Sequence, residues 1–296
     1  MRGDTILGFR TVVITKHVKC YYKNDYLVVQ GDTQKMVHLS EIDAVIFDTT
    51  AMTVTGVILT ELVKWKIAVV FCDERHIPSC YLLPLTANFI STKRIFAQMQ
   101  WEEKRKDYLW GVIVKYKIEK QAFVLQKKHL EAEQQVSSYG MTVQDGDVTN
   151  REAFAAKVYF NALFGKDFSR DGDSSLNAML NYGYSILVSL ITKEVVAAGY
   201  LPQIGIHHCS EYNPYNLVCD LMEPFRPIVD DVVFENRAQG KLTLLVKEQF
   251  WGMLQMQFVY GGALRYLSTI LHLYVHECMA FLENGEVKEL LMYEKI

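Results

Sequence analysis

The chain has 296 residues, enough for one large domain or two of ordinary size. Hydrophobic residues make up 50% of it and charged residues 22%, a composition that excludes an intrinsically disordered or low-complexity chain. With 31 basic and 34 acidic residues the formal net charge is -3, which excludes a uniformly basic nucleic-acid coat but not a local basic surface.

Cysteine spacing and hydropathy indicate the cellular compartment. The six cysteines lie far apart and form no CxxC pair, as is typical of reduced thiols in the cytosol. The longest apolar stretches, 186–191 and 195–201, are separated by Lys193 and Glu194 and are too short to span a bilayer. We therefore expect a soluble cytoplasmic protein with no membrane partner.

Short runs rich in β-branched and aromatic residues dominate the first 85 residues. These runs predict strands over 11–14, 26–29, 36–39, 44–47 and 68–72. Helical spacing of apolar residues predicts one helix over 53–65, and Pro78 and Pro84 indicate the end of this pattern. We expect residues 1–90 to form a small, mainly-β domain with one helix, which would mediate dimerisation.

From about residue 91 the apolar residues follow the helical period instead. Capping signals and stop residues predict helices from Thr149 to Phe164, from Asp173 or Ser174 to Gly199, and over 215–222, 243–256 and 262–283. The first of these begins with a capping box, in which Thr149 and Glu152 would satisfy each other's backbone N–H groups. The fold class is therefore α+β, with a larger all-α C-terminal domain over 91–296.

Charge is distributed unevenly along the chain. Residues 91–130 contain ten basic and four acidic residues, a local charge of +6, whereas residues 211–235 contain six acids and one base. The basic segment predicts either a solvated helix face or a phosphate-binding surface. The candidate DNA-binding residues are Lys93, Arg94, Lys104, Arg105 and, outside the segment, Arg170.

Carboxylates and imidazoles in the C-terminal half are candidate metal ligands. Asp220 and Glu223 are three residues apart and share one face of the predicted helix over 215–222 and its end. With His207 or His208 they would form a mixed nitrogen and oxygen set that suits Mg²⁺ or Mn²⁺. An ordinary role stays open for each residue, because Asp220 could lie on the surface and the histidines could be structural.

Four motifs in a fixed order resemble one known family. They are Glu152-Ala-Phe-Ala-Ala-Lys-Val-Tyr-Phe160, Asn177-Ala-Met-Leu-Asn181-Tyr-Gly-Tyr184, Gly199-Tyr-Leu-Pro-Gln-Ile-Gly-Ile-His-His208 and Leu217-Val-Cys-Asp220-Leu-Met-Glu223-Pro-Phe-Arg226-Pro. This set is similar to the CRISPR-associated (Cas) protein one family, whose members have a β-rich front and a helical body. The resemblance implies a spacer-acquisition endonuclease/integrase. It would join the 3′-OH ends of a spacer DNA duplex to the CRISPR repeat by metal-dependent transesterification, without a nucleotide cofactor.

The resemblance also implies roles for individual residues. Glu152, His208 and Glu223 would be catalytic residues that bind Mg²⁺ or Mn²⁺, and His208 stands where the family has its histidine. Asp220 would be an alternate ligand or a support for the others. Arg226 would be a further catalytic residue that contacts the scissile phosphate.

The His-His doublet and the Glu-Pro-Phe-Arg-Pro sequence look most like the type II form of the family. The implied partners are double-stranded DNA of the spacer and the repeat, a second copy of the chain, the small companion subunit Cas protein two, and further acquisition proteins of the type II system. Two other functions remain open on the sequence alone. These are a non-catalytic DNA-binding scaffold and a metal-dependent nuclease that only cleaves.

Overall fold

The computed structural model of the chain describes residues 10–84, 90–285 and 292–294. In the N-terminal part the strands are β1 (Arg10–Ile14), β2 (Val18–Lys23), β3 (Tyr26–Gln30), β4 (Gln34–His38), β5 (Ile42–Phe47), β6 (Met52–Val54), β7 (Ala68–Cys72) and β8 (Pro78–Tyr81). A single helix, α1 (Gly56–Lys64), connects β6 to β7. The predicted mainly-β unit with one helix is confirmed.

The N-terminal strands form two four-stranded sheets. One has the order β1-β5-β7-β8, with β1, β5 and β7 parallel and β8 antiparallel at the edge. The other has the order β4-β3-β2-β6. The prediction that Pro78 ends the strand pattern is wrong, because Pro78 is the first residue of β8. A proline is tolerated there because an edge strand leaves backbone N–H groups unpaired on its outer side.

Both faces of β5 and β7 are buried. Val45, Phe47 and Val69 point into a core between the sheets and α1. Ile46 and Val70, on the opposite face, belong to the core of the helical part. Because side chains alternate along a strand, these two strands join the N-terminal sheet to the helices through direct apolar packing.

The rest of the described chain is mostly helical. The helices are α2 (Ser91–Gln98), α3 (Glu103–Lys127), α4 (Glu133–Gly140), α5 (Arg151–Phe164), α6 (Ser175–Ala197), α7 (Asn216–Met222), α8 (Arg226–Asn236), α9 (Leu244–Gly252) and α10 (Leu267–Asn284). Ser174 caps α6, as predicted, by accepting a hydrogen bond from the backbone N–H of Asn177 at 3.2 Å. None of the helices in the described part of the chain combines the length and apolar character that a membrane span requires.

Two local predictions fail for identifiable reasons. The capping box at Thr149 is wrong, because the residue before α5, Asn150, has a left-handed backbone and the Asp147 carboxylate caps the helix instead. The predicted helix over 262–283 begins later than expected, because β9 (Gln257–Tyr260) and β10 (Ala263–Tyr266) form a hairpin. Its turn is Gly261-Gly262, both at positive φ, a pair typical of tight hairpins.

The predicted helix over 53–65 is shorter in the structure, because β6 takes its first residues and α1 begins at Gly56. The helix predicted over 215–222 is confirmed as α7, and a short turn through Pro224 connects it directly to α8. The structure therefore places a bend, rather than a loop, immediately after Glu223.

A buried ion pair also links the sheet to the helices. The Lys247 ammonium on α9 lies 3.1 Å from Asp48 Oδ1 at the end of β5, and donates a hydrogen bond to the His76 carbonyl at 2.8 Å. Both charged side chains are buried. Removing one partner would leave the other charge unpaired in the interior, which is strongly destabilising.

Gly183 marks the closest approach among the central helices. A Cβ atom there would lie 2.5 Å from Val229 on α8 and 2.8 Å from Phe250 on α9. Gly252, at the end of α9, has open space where a Cβ would be placed. The two helical glycines therefore differ in what an added methyl group would meet.

We expect Gly183→Ala to lower the free energy of unfolding by about 1–3 kcal/mol, because α6 must move away from α8 and α9. Gly252→Ala should leave it unchanged or raise it by about 0.5–1 kcal/mol, because alanine favours the helix and has room. Urea unfolding of both variants measures the difference. Equal stabilities would contradict this description of the helix packing.

Candidate active site

Glu152 is held by the start of α5. Asp147 accepts hydrogen bonds from the backbone N–H groups of Arg151 at 2.8 Å and Glu152 at 3.0 Å. A carboxylate in this position satisfies N–H groups that have no partner within the helix. The Glu152 side chain is thereby directed towards α3, where its Oε1 lies 2.6 Å from the Lys117 ammonium.

Glu223 lies at the bend between α7 and α8 and is almost fully buried. Its Oε2 is 2.5 Å from the Lys117 ammonium and its Oε1 is 2.8 Å from Nε of Arg226. Burial opposes ionisation of this carboxyl, but the guanidinium of Arg226 and the ammonium of Lys117 hold its pKa well below the ordinary value. Glu223 is therefore a buried carboxylate between two cations.

Lys117 joins the two acidic residues, and the sequence reasoning did not select it. Burial opposes its charge, but the carboxylates of Glu223 and Glu152 raise its pKa, so the ammonium is charged. A signal was present, because Lys117 falls on the face of α3 that also carries buried Ile113 and Val114. A lysine within an apolar helical stripe indicates a buried partner of opposite charge.

Residues 206–208, here called the histidine loop, fold around the side chain of Asp220. This side chain is fully buried and accepts hydrogen bonds from the backbone N–H groups of Ile206, His207 and His208 at 2.6, 3.0 and 3.1 Å. Its Oδ1 also lies 2.5 Å from Nδ1 of His208. Asp220, the predicted alternate ligand, is thus occupied in this structure with positioning the loop. Gly205 leaves room for this arrangement, because a Cβ there would lie 2.8 Å from Asp220 Oδ2 and 2.3 Å from the His208 carbonyl oxygen.

The two histidines have different environments. His207 stacks on Trp110 of α3, with ring centroids 4.3 Å apart and planes 3° apart. The His208 side chain is 41% exposed, and its hydrogen bond with Asp220 raises its pKa above the ordinary value. The carboxylates of Glu223 and Glu152 raise that pKa further. His208 therefore lies in the electrostatic field of both acidic residues, whereas His207 packs against the protein.

Glu152, His208 and Glu223 converge on one region, but their ligand atoms do not all come within 4.8 Å of one another. The Lys117 ammonium occupies the space between the two carboxylates. Two carboxylates and an imidazole are the donor types that bind a hard or intermediate divalent cation. The residues present therefore fit a cation site, with Lys117 as the positive charge that now balances it.

A cavity of about 230 Å³ opens beside this cluster. Its lining includes Lys117, Gln121, Phe160, Arg170, Tyr184, Glu223, Arg226 and Asp230. The guanidinium carbon of Arg226 lies 4.6 Å from the centroid of the Tyr184 ring, and that of Arg170 lies 5.4 Å from the same centroid. The wall of the cavity thus presents guanidinium groups next to the acidic residues, an arrangement that suits an anionic group bound near a cation.

Comparisons with known proteins place these features in a family. The family model described as CRISPR associated protein Cas1 matches residues 11–251. The chain belongs to the Cas1 family. The CRISPR-associated endonuclease Cas1 of Neisseria meningitidis serogroup C is 34% identical over 221 residues, covering 74% of this chain and 73% of that protein.

Solved structures agree with this Cas1 assignment at the level of the fold. A casposase bound to its integration product has a TM-score of 0.75 and 19% identity, covering 95% of this chain and 92% of that one. A Cas6-RT-Cas1–Cas2 complex chain has a TM-score of 0.71 and 18% identity, covering 99% of this chain and 37% of that one. The β-rich front and helical body predicted for a Cas1 fold are confirmed.

The candidate DNA-binding residues of this Cas1-family chain fall into two groups. Lys93 and Lys104 are exposed on α2 and α3. Arg94 donates a hydrogen bond to the Ala198 carbonyl, and Arg105 donates to the carbonyls of Leu282 and Glu283 at 3.2 and 2.8 Å. Arg170, at the cavity, donates to Asn177 and Asn181.

The basic and acidic segments of this Cas1-family chain partly neutralise each other. Lys127 and Lys128, from the basic segment, form ion pairs with Asp231 at 2.6 and 2.7 Å, and Lys128 also pairs with Glu235. The local charge of the basic segment is therefore not all available to a ligand. Sequence counting missed this because it cannot show which charges meet.

In the metal-free Cas1-family protein we expect His208 to titrate above its ordinary pKa, because the Asp220 carboxylate stabilises the imidazolium. Asp220→Asn should lower this pKa. NMR titration of the imidazole, assigned with His208→Gln, measures both values. The same midpoint in wild type and Asp220→Asn would contradict the proposed ion pair.

The pH dependence of stability has a defined sign. A folded-state pKa above the unfolded value means that the contribution from His208 is fully present below the unfolded pKa of about 6.5. It is lost as the pH rises through the folded pKa. Asp220→Asn should reduce this dependence, because only the contributions of Glu223 and Glu152 to the His208 pKa remain, and urea unfolding at a series of pH values measures the change.

Proposed function

We propose that this chain is a metal-dependent DNA endonuclease/integrase of CRISPR adaptation. It would join the 3′-OH ends of a spacer DNA duplex to the CRISPR repeat by transesterification. The observation that carries the proposal is that Glu152 and Glu223, from different parts of the chain, both contact the buried Lys117 ammonium. His208 lies close enough for both carboxylates to raise its pKa. Membership of the Cas1 family and the fold shared with a casposase bound to its integration product support the chemistry.

Glu152, His208 and Glu223 would hold a divalent cation, either Mg²⁺ or Mn²⁺. When bound, such a cation supplies Lewis-acid stabilisation of the charge that develops on the reacting phosphate. Glu223 is kept ionised by Arg226 and Lys117, and so is in the form that binds a cation. Asp220 would act as a positioning residue that orients the His208 ring through Nδ1 and leaves the other ring nitrogen for a ligand bond.

Arg226 would contact the phosphate. Its Nε is engaged by Glu223 and its guanidinium lies over Tyr184, so the group is held at the wall of the cavity. A guanidinium fixed in this way can donate paired hydrogen bonds to phosphate oxygens. The guanidinium of Arg170 also lies near the Tyr184 ring, and it would extend this positive surface along the DNA backbone.

The reaction exchanges one phosphodiester for another. The spacer 3′-oxygen forms a bond to the repeat phosphorus, the bond from phosphorus to the repeat 3′-oxygen breaks, and a proton passes from the attacking hydroxyl to the leaving oxygen by way of solvent. No nucleotide cofactor is consumed. The same site could therefore also run the step in reverse on branched DNA.

The partners belong to the same proposal. We expect double-stranded DNA of the spacer and the repeat, a second copy of this chain contacted through residues 1–90, and the small subunit Cas2. The fold shared with a chain of a Cas6-RT-Cas1–Cas2 complex supports the Cas2 interaction. The His-His doublet and the Glu-Pro-Phe-Arg-Pro sequence support a type II system, whose further acquisition proteins would be additional partners.

Glu223→Ala should lower the rate at which labelled spacer ends are joined to a repeat-containing plasmid by a factor of at least about 10². Spacer binding should persist. Glu119→Ala, which removes an exposed carboxylate on α3, is the matched control and should join normally. Gel analysis of covalently attached label measures the product.

The same assay separates the alternatives. A non-catalytic scaffold predicts no attached label, and excess EDTA should then change nothing. A nuclease that only cleaves predicts shorter plasmid fragments without attached label. Retained joining by Glu223→Ala would reject the assigned site.

Lys117→Met tests the cation site independently of activity. Loss of the ammonium leaves Glu152 and Glu223 facing each other, so the metal-free protein should lose about 3–5 kcal/mol of stability. Mg²⁺ or Mn²⁺ should restore part of this loss and raise the melting temperature more than in wild type. Lys115→Met, an exposed change on the same helix, is the control. An equal response to metal in all three proteins would count against the site.

A further inference from the structure

A second cluster of metal-ligand side chains lies away from the candidate active site. Glu194 on α6 and His272 and His276 on α10 each offer one ligand atom, and these atoms lie within 4.8 Å of one another. Among the described residues, no other group of three His, Cys, Asp or Glu side chains has its ligand atoms this close together. None of the three lines the cavity next to Glu223.

The helix geometry brings these groups together. His272 and His276 are four residues apart, so their rings lie on one face of α10, with centroids 4.5 Å apart. Glu194 comes from α6, which packs against α10, and its Oε2 lies 2.8 Å from Nδ1 of His272. Two imidazoles from one helix and a carboxylate from its neighbour thus face a common point.

Glu194 is the ionised carboxylate of this cluster. Although burial opposes ionisation of Glu194, the Lys193 ammonium and the hydrogen bond from His272 lower its pKa to about 2. Lys193 is shared between Glu194 at 2.9 Å and the buried Asp43 of β5 at 3.7 Å. Lys193 thus lies between the ionised Glu194 and the buried Asp43, whose own pKa is raised by burial.

His276 lies on the solvent-exposed side of the cluster. Partial burial, together with His272, lowers the pKa of His276 below its ordinary value. A neutral imidazole is the form that binds a metal. The side chain of His276 remains exposed, so an ion can enter from solvent.

We propose that Glu194, His272 and His276 form a zinc site that connects α6 to α10. Two nitrogens and one oxygen suit Zn²⁺ better than Mg²⁺, which prefers oxygen ligands. Three protein ligands leave one position for water. Because α6 also packs against β7, the ion would hold the helical part together near the point where it meets the N-terminal sheet.

The test measures Zn²⁺ bound to the full-length protein by calorimetry and the shift of its melting temperature. Zn²⁺ alone should bind to wild type and raise the melting temperature by about 5 °C at 100 times the dissociation constant. His276→Ala, an exposed change, should lower the affinity by roughly 100-fold and remove the shift. His17→Ala, which removes an exposed histidine elsewhere, is the matched control.

Glu223→Ala distinguishes this site from the proposed active site, because it should retain both the bound Zn²⁺ and the thermal shift. His272→Ala should reproduce the loss seen with His276→Ala. Unchanged Zn²⁺ binding in both histidine variants would overturn the proposal. The absence of Zn²⁺ binding to Glu223→Ala would also overturn the proposal. In that case Glu194, His272 and His276 form only a hydrogen-bonded cluster.

Discussion

The ammonium of Lys117 is the centre on which the candidate active site depends. It lies between Glu152 and Glu223, which are 71 positions apart in the sequence and both form ion pairs with it. Buried like charges repel strongly, so these carboxylates could not share a site without a compensating charge. Arg226 adds a second positive group on the other side of Glu223. The buried carboxylates are thus balanced by positive side chains of the protein itself.

The N-terminal sheet and the helices form a continuous structure. Strands β5 and β7 contribute one face to the sheet core and the other to the helical core, and the pair Asp48–Lys247 connects the end of β5 with α9. A proposed boundary near residue 90 therefore separates two sequence patterns that share buried surface. We expect changes in the sheet to affect the stability of the helical part that carries the site.

Much of this arrangement could be predicted from the sequence. Hydrophobic periods predicted strands β1, β3, β4, β5 and β7 and the helices α1, α5, α6, α7, α9 and α10, but gave no bounds for β2, β6, β8, α2, α3, α4 or α8. The residue type of Ser174 predicted the cap of α6. The hairpin at Gly261-Gly262 was missed because its strands are short and its apolar residues also fit a helix. The cap of α5 was missed because Asp147 reaches the helix from outside the usual spacing.

The grouping of Glu152, His208 and Glu223 came from the order of family motifs, since no local pattern shows that distant residues meet. Lys117 could not be assigned in this way because its role appears only when α3, α5 and α7 are packed together. For Asp220, spacing suggested a metal ligand, whereas the folded loop directs both of its oxygens to N–H groups and an imidazole. Residue type alone could not separate these two uses of a carboxylate.

Helix α3 contacts every component of the site. Trp110 stacks on His207, and Lys117 binds both carboxylates. Gly111 leaves room for the segment before α5, because a Cβ there would lie 2.9 Å from the Gln144 carbonyl oxygen. Trp110 and Lys117 are separated by two helical turns, about 10 Å along the axis. A single rigid element therefore sets the spacing between the histidine loop and the acidic pair. Any sliding or rotation of α3 would displace both together, so one continuous helix of 25 residues sets the alignment of the site.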